Sequence, residues 1–169
     1  LVSLGVFDTG GSTASSKITT AVNYAIDNNI RVLNMSLGAR TVGDMPTNKN
    51  GYYDLLLESA IARANAAGIV VVTSAGNAGK PSGEEIPYTD RDGVTTTEVR
   101  YSFPGDLDGT INVINLKKSG GGYVRSSSSN YGLNKTISAP GDGIYSTSVT
   151  SGGFRSMSGT SMAAPVVAG

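Results

Sequence analysis

The spacing of apolar positions changes several times along this chain, and each change marks an element. Leu1 to Phe7 is mostly apolar and reads as a buried strand. Ile18, Ala21, Val22, Ala25 and Ile26 then recur at i, i+3, i+4, i+7 and i+8, one stripe of an amphipathic helix. Asn28 and Asn29 end it, and Arg31 to Leu37 forms the next apolar strand. A polar stretch with Gly43, Pro46 and Gly51 reads as a loop. Leu56, Leu57, Ala60, Ile61, Ala64 and Ala67 make a second helical stripe, with Gly68 placed to end it in a left-handed conformation. Ile69 to Val72 are four β-branched residues in a row. A strand covered on both faces has no need to alternate, so this one is expected inside a parallel sheet.

Strands and helices alternating through short joins predict an open, mostly parallel, doubly wound α/β sheet in one domain. Gly79 to Gly105 is rich in Pro, Gly, Thr and Asp and reads as loop. Thr110 to Leu116 is a further strand, Gly120-Gly121-Gly122 a turn, and Thr136 to Ala139 and Ile144 to Val149 short strands. A helix around Ser161 closes the chain.

Composition then removes whole classes of function. Thirteen basic and 13 acidic residues give a net charge of +0, which argues against nucleic acid or an anionic membrane surface as partner. No apolar run approaches the roughly 18 residues a spanning helix requires. Without cysteine there is no disulfide, thiolate metal site or cysteine nucleophile, and without histidine there is no imidazole ligand or base. A metal would need oxygen ligands, which means calcium or magnesium. Leu1 to Phe7 lacks the basic start of a signal peptide, and Val166 to Gly169 stops within an apolar segment. Both ends look cut, so a portion of a longer protein is expected. The apolar seams so exposed would favour self-association of the isolated chain.

In open α/β sheets, sites form beyond the carboxyl ends of the strands. Three segments are expected there: Asn34-Met35-Ser36-Leu37-Gly38, Thr73-Ser74-Ala75-Gly76-Asn77-Ala78-Gly79, and the helix opening Gly159-Thr160-Ser161-Met162-Ala163-Ala164-Pro165. Gly38 and Gly76 would admit an extended peptide close to the backbone. Asn77 carries an amide donor of the kind that stabilises an oxyanion. Ser161 would stand where helix N–H groups favour developing negative charge. Each has a plainer reading. Small residues after Met162 suit close helix packing, and an asparagine such as Asn77 suits a turn.

Taken in order, these three segments resemble the subtilisin-like serine peptidases, and the resemblance covers essentially the whole chain. Ser138-Ala139-Pro140-Gly141, Phe103-Pro104-Gly105 and Ala25-Ile26-Asp27-Asn28-Asn29 add to it, with extra loop residues near 40–52 and 80–100. The resemblance implies a serine endopeptidase with Ser161 as nucleophile, and Asn77 with the Ser161 backbone N–H as oxyanion hole. It implies that Ser36, Leu37 and Gly38 pair with the main chain of a peptide or protein substrate. Ser74, Ala75 and Gly76 would line a specificity pocket. It further implies secretion, a cis Phe103–Pro104 peptide, and no cofactor for the chemistry, with structural calcium compatible but its ligands unassigned.

The departures are equally specific. The family runs Asp, then His, then Ser along the chain. Asp8-Thr9-Gly10 falls after the point where that histidine should have passed, so Asp and His are expected upstream of Leu1 in the parent. Val166 follows Pro165 where the family commonly has histidine. Lysine can serve as a base in Ser-Lys enzymes, but Lys135 lies in a polar stretch, is expected to be exposed, and would then be protonated. Asp90-Arg91-Asp92-Gly93 and Asp106-Leu107-Asp108-Gly109 resemble calcium loops, yet Tyr101 and Lys117 stand where the closing glutamate belongs. Gly76 to Lys80 is followed by Pro81 and makes no phosphate loop. The isolated chain is therefore expected to be inactive. A non-catalytic peptide-binding or structural module is the rival reading. A small-molecule esterase is weaker, because Ala163 replaces the second glycine of its Gly-x-Ser-x-Gly turn.

Overall fold

A computed structural model describes residues 1–38, 55–89, 91–99, 101–148 and 152–169. In chain order the elements are α1 (Ser15–Asp27), β1 (Val32–Met35), α2 (Leu55–Ala66), β2 (Val70–Ser74), β3 (Pro81–Ser82), β4 (Glu85–Thr89) and β5 (Thr95–Val99). They continue with β6 (Thr110–Ser119), β7 (Gly122–Arg125), β8 (Tyr131–Gly132), β9 (Ile137–Pro140), β10 (Ile144–Ser148), β11 (Gly153–Met157) and α3 (Thr160–Ala168).

The main sheet runs β1-β2-β6-β7, with β9 also on β6. β1, β2, β6 and β9 are parallel, and only β7 runs antiparallel, back along β6 from the Gly120-Gly121 turn. Helices cover both faces, as the alternation predicts. On one face Ile18, Val22 and Ala25 of α1 and Leu57, Ala60, Ile61 and Ala64 of α2 enclose Met35, Ile69 and Val71. On the other, Ala163 and Ala164 of α3 pack on Val72, Val113 and Ala139. The expected cover over Ile69–Val72 is complete except at Val70, which stays 43% exposed on the face that α3 crosses nearer the strand ends.

The helix ends are built locally. Asn28 donates its side-chain amide to the Tyr24 carbonyl at 2.9 Å, and Asn29 turns out of α1 at φ 54°. Gly68 leaves α2 at φ 79°, which lets the Ile69 N–H reach back to the Ala64 carbonyl at 2.9 Å.

Three expectations need correction or fall elsewhere, and one strand is unannounced. Residues 1–7 join no ladder among the described residues, and Val2 and Phe7 are more than half exposed. An apolar run becomes a strand only where a neighbour takes up its N–H and C=O groups. The supposed loop from Gly79 to Gly105 contains β3 and the β4–β5 hairpin, because β-branched Thr95-Thr96-Thr97 pair back across the turn at Gly93. β11 pairs with β10 and has no apolar pattern of its own to announce it. The loop assigned to Gly43, Pro46 and Gly51, like Asp90 and Val149, lies outside the described residues.

Candidate active site

β1 and β2 are parallel neighbours, so the chain leaves both at the same edge of the sheet. The helix α3 packs across that sheet with its N-terminus at this edge, where Thr160 meets the segment leaving β2. The three segments singled out in the sequence therefore converge.

Their joining is a set of specific hydrogen bonds. Asn77 Oδ1 accepts from the Thr160 backbone N–H at 2.9 Å and from the Thr160 hydroxyl at 3.0 Å. A backbone N–H can only donate, so the atom facing it is the amide oxygen, and the Asn77 Nδ2 group is turned the other way. Thr160 is fully buried, and its hydroxyl oxygen in turn accepts the Gly76 N–H at 3.1 Å. Gly76 itself sits at φ 93°, and a Cβ there would come within 2.4 Å of Asn130 Nδ2. Only glycine permits this turn.

Ser161 follows Thr160 in the first turn of α3 and is half-buried. The Met162 and Ala163 N–H groups bond the Gly159 carbonyl at 3.0 and 3.2 Å. Among the described residues nothing accepts from the Ser161 N–H, from the Ser161 hydroxyl or from Asn77 Nδ2. Two N–H donors are thus left available beside one hydroxyl at a helix N-terminus, an arrangement suited to developing negative charge.

The neighbouring segments form the walls. Ser74 Oγ donates to the Leu37 carbonyl at 3.2 Å, tying β2 to the segment after β1. Ser36 Oγ accepts from Asn34 Nδ2 at 3.0 Å. A Cβ on Gly38 would lie 3.4 Å from the Phe103 carbonyl oxygen, so the Phe103-Pro104-Gly105 turn, with its cis peptide, lies against the segment after β1. Ser74 and Ala75 are buried, and both backbone polar groups of Ala75 are engaged, its N–H by the Val113 carbonyl at 3.1 Å and its carbonyl by Ser102 Oγ at 2.7 Å.

A profile of the Subtilase family matches residues 1–169. The chain belongs to this family. It is 36% identical over 169 residues to a thermostable alkaline protease of Halalkalibacterium halodurans, and 32% identical over 171 residues to subtilisin DY of Bacillus licheniformis. All of this chain is covered in each case, but 38% and 51% of those proteins, so it spans about half or less of the curated relatives it matches. A cold-adapted subtilisin-like serine proteinase of known structure superposes with a TM-score of 0.68 at 28% identity, covering 97% of this chain and 50% of that one.

For this subtilase the remaining candidates resolve as follows. Asp8 Oδ1 accepts the N–H groups of Gly10 and Ser12 at 2.9 and 2.8 Å, which makes Asp8 the organiser of an exposed turn. No three acidic side chains group to hold a metal ion among the described residues. No helix there is long and apolar enough to cross a membrane.

Lys135 is a correction. Its side chain is 1% exposed, not solvated, and its Nζ lies 2.6 Å from Asp106 Oδ1, itself 2% exposed. Burial lowers the Lys135 pKa, opposed by the Asp106 charge and hydrogen bond. The polar neighbours Asn134 and Thr136 conceal this, because a lysine with one buried partner is indistinguishable in sequence from one in water. Asp106, which the sequence offers only within a calcium-like loop, and Ser102 belong to the same cluster. The available signal was Asn112 and Asn115, two amides within an otherwise apolar strand. Buried amides need partners, and one partner of Asn112 is Asp106.

Proposed function

We propose that this chain supplies the nucleophile and oxyanion half of a serine endopeptidase domain, acting on peptide or protein substrates. Ser161 Oγ attacks the scissile carbonyl carbon, and the carbonyl oxygen, now negative, receives hydrogen bonds from Asn77 Nδ2 and the Ser161 N–H. Collapse of that intermediate expels the amine and leaves an acyl-enzyme on Ser161, which water then hydrolyses. The Asp and His that move the protons belong to a segment not contained in these 169 residues, for the chain holds no histidine. Ser36, Leu37 and Gly38 pair with the substrate main chain, and Ser74, Ala75 and Gly76 form one wall of the pocket for the side chain preceding the cut. The same reading takes the whole protein to be secreted.

One observation carries this reading: the Asn77 amide is held by its oxygen to the residue before Ser161, with its N–H group turned away from that anchor. A plain turn asparagine would have no reason to be fixed by the helix that bears the serine.

A fluorophosphonate that reacts with activated serines tests it. The intact protein should be labelled at Ser161, its Ser161→Ala variant should not, and the 169-residue chain alone should be labelled far more slowly. An intact protein left unlabelled would favour the non-catalytic, peptide-binding reading. Rapid labelling of the chain alone would demand a base other than histidine.

A further inference from the structure

A buried ion pair is weak evidence for stability, because removing two charges from water costs about as much as their attraction returns. The Lys135–Asp106 pair is better understood by what it orients. Asp106 Oδ1 accepts from Lys135 Nζ at 2.6 Å and from Asn112 Nδ2 at 2.7 Å. Its Oδ2 accepts from the Ser82 hydroxyl and the Ser102 N–H. So held, Lys135 Nζ also faces Ser102 Oγ at 3.4 Å. That distance is long for a hydrogen bond, and the ammonium acts there mainly as a charge.

From Ser102 the bonds continue in one sense. Ser102 Oγ receives Asn130 Nδ2 at 3.1 Å as well as Lys135, and it donates its single proton to the Ala75 carbonyl at 2.7 Å. The same peptide unit carries the Gly76 N–H, which donates to Thr160 Oγ1 at 3.1 Å. Thr160 Oγ1 donates to Asn77 Oδ1 at 3.0 Å. Every group receives a proton donor on the Lys135 side and donates on the Asn77 side. Chains of this kind strengthen each member, because each bond polarises the next. The positive end of this one is a buried ammonium, and its far end is the Asn77 amide, held by its oxygen to Thr160 with its N–H group turned away from that anchor.

We propose that Lys135, seated by Asp106, is a positioning residue that orients and polarises the Asn77 amide through Ser102, the Ala75–Gly76 peptide and Thr160. This rests on the reading of Asn77 as the oxyanion donor. It gives the buried pair a part in the reaction although neither residue touches substrate.

The test is a double-mutant cycle in the intact protein, using Lys135→Met, Asn77→Ala and both together. Lys135→Met should lower kcat about 3- to 30-fold with KM within about twofold. In the Asn77→Ala background the same change should have almost no further effect, since the relay then ends on nothing. If the unpaired Asp106 prevents folding, Lys135→Met/Asp106→Leu removes both charges, and its kcat should show the same dependence on Asn77. An equal loss of kcat in both backgrounds, a loss confined to KM, or no loss at all would overturn the proposal while leaving Asn77 its assigned part. Asn77→Ala with unchanged kcat would overturn both.

Discussion

Replacing Thr160 by valine isolates the joint between the two halves of the site. Valine has nearly the shape of threonine, and Thr160 is fully buried, so the substitution opens no cavity. It removes one hydroxyl. The Gly76 N–H then loses its acceptor at 3.1 Å, and a buried donor left unmatched costs about 1–3 kcal/mol. Asn77 Oδ1 loses its 3.0 Å hydroxyl but keeps the Thr160 N–H at 2.9 Å, a loss of roughly 0.5–1.5 kcal/mol. Together the change should destabilise the intact protein by about 2–4 kcal/mol in urea titration, read as a shifted midpoint with unchanged slope. With one of two anchors gone, the amide should also be less well aimed, and kcat should fall about tenfold with KM little altered. Thr160→Ser keeps the hydroxyl and loses only a methyl, so it should cost about 1 kcal/mol and keep kcat near the parent value. A Thr160→Val protein as stable and as active as Thr160→Ser would refute the idea that this hydroxyl holds the site.

Two further outcomes follow from single residues. Gly76→Ala puts a Cβ 2.4 Å from Asn130 Nδ2 at a φ of 93°, so it should cost more than the roughly 1 kcal/mol of an ordinary left-handed strain and should raise KM; a variant as stable as the parent would contradict the turn described. Lys135 makes stability depend on pH in a definite direction. Burial lowers its folded pKa below 10.5, so between that lowered value and about 10.5 the unfolded chain holds more protons and stability from this group rises with pH. Measured against Lys135→Met, the parent protein should gain stability as pH climbs toward 10.5, and a flat or falling difference would show that the Asp106 charge and hydrogen bond match or outweigh the effect of burial.

Much of the sheet and the position of the site were legible in the sequence for local reasons. Helical stripes in α1 and α2, the β-branched run in β2, and Gly68 each follow from a few adjacent residues. So do the short motifs at strand ends, whose small residues are demanded by close backbone approach. What escaped depends on partners far along the chain. Residues 1–7 have strand composition but no ladder. Lys135 and Asp106 are 29 residues apart, and nothing in either neighbourhood announces the other. The β4–β5 hairpin was hidden by the Pro, Gly and Asp around it, although Thr95, Thr96 and Thr97 are strand residues by shape.

The same division explains how the site is made exact. The turn from Ala75 to Lys80 has little to hold it locally, yet three distant segments grip it. Thr160 bonds Gly76 and Asn77 across 84 and 83 residues. Ser102 bonds the Ala75 carbonyl, and Asn130 Oδ1 accepts the Ala78 and Lys80 N–H groups at 3.0 and 3.2 Å while the Asn130 backbone N–H bonds the Gly76 carbonyl at 2.9 Å. A donor aimed at a charge that exists only in the transition state is useful to the extent that it need not move when the charge appears. Buried side chains from three parts of the chain meet that condition at Asn77. Ser161 Oγ has no comparable restraint among the described residues, and on the proposed reading, a nucleophile that must swing from a base to a carbonyl carbon is better without one.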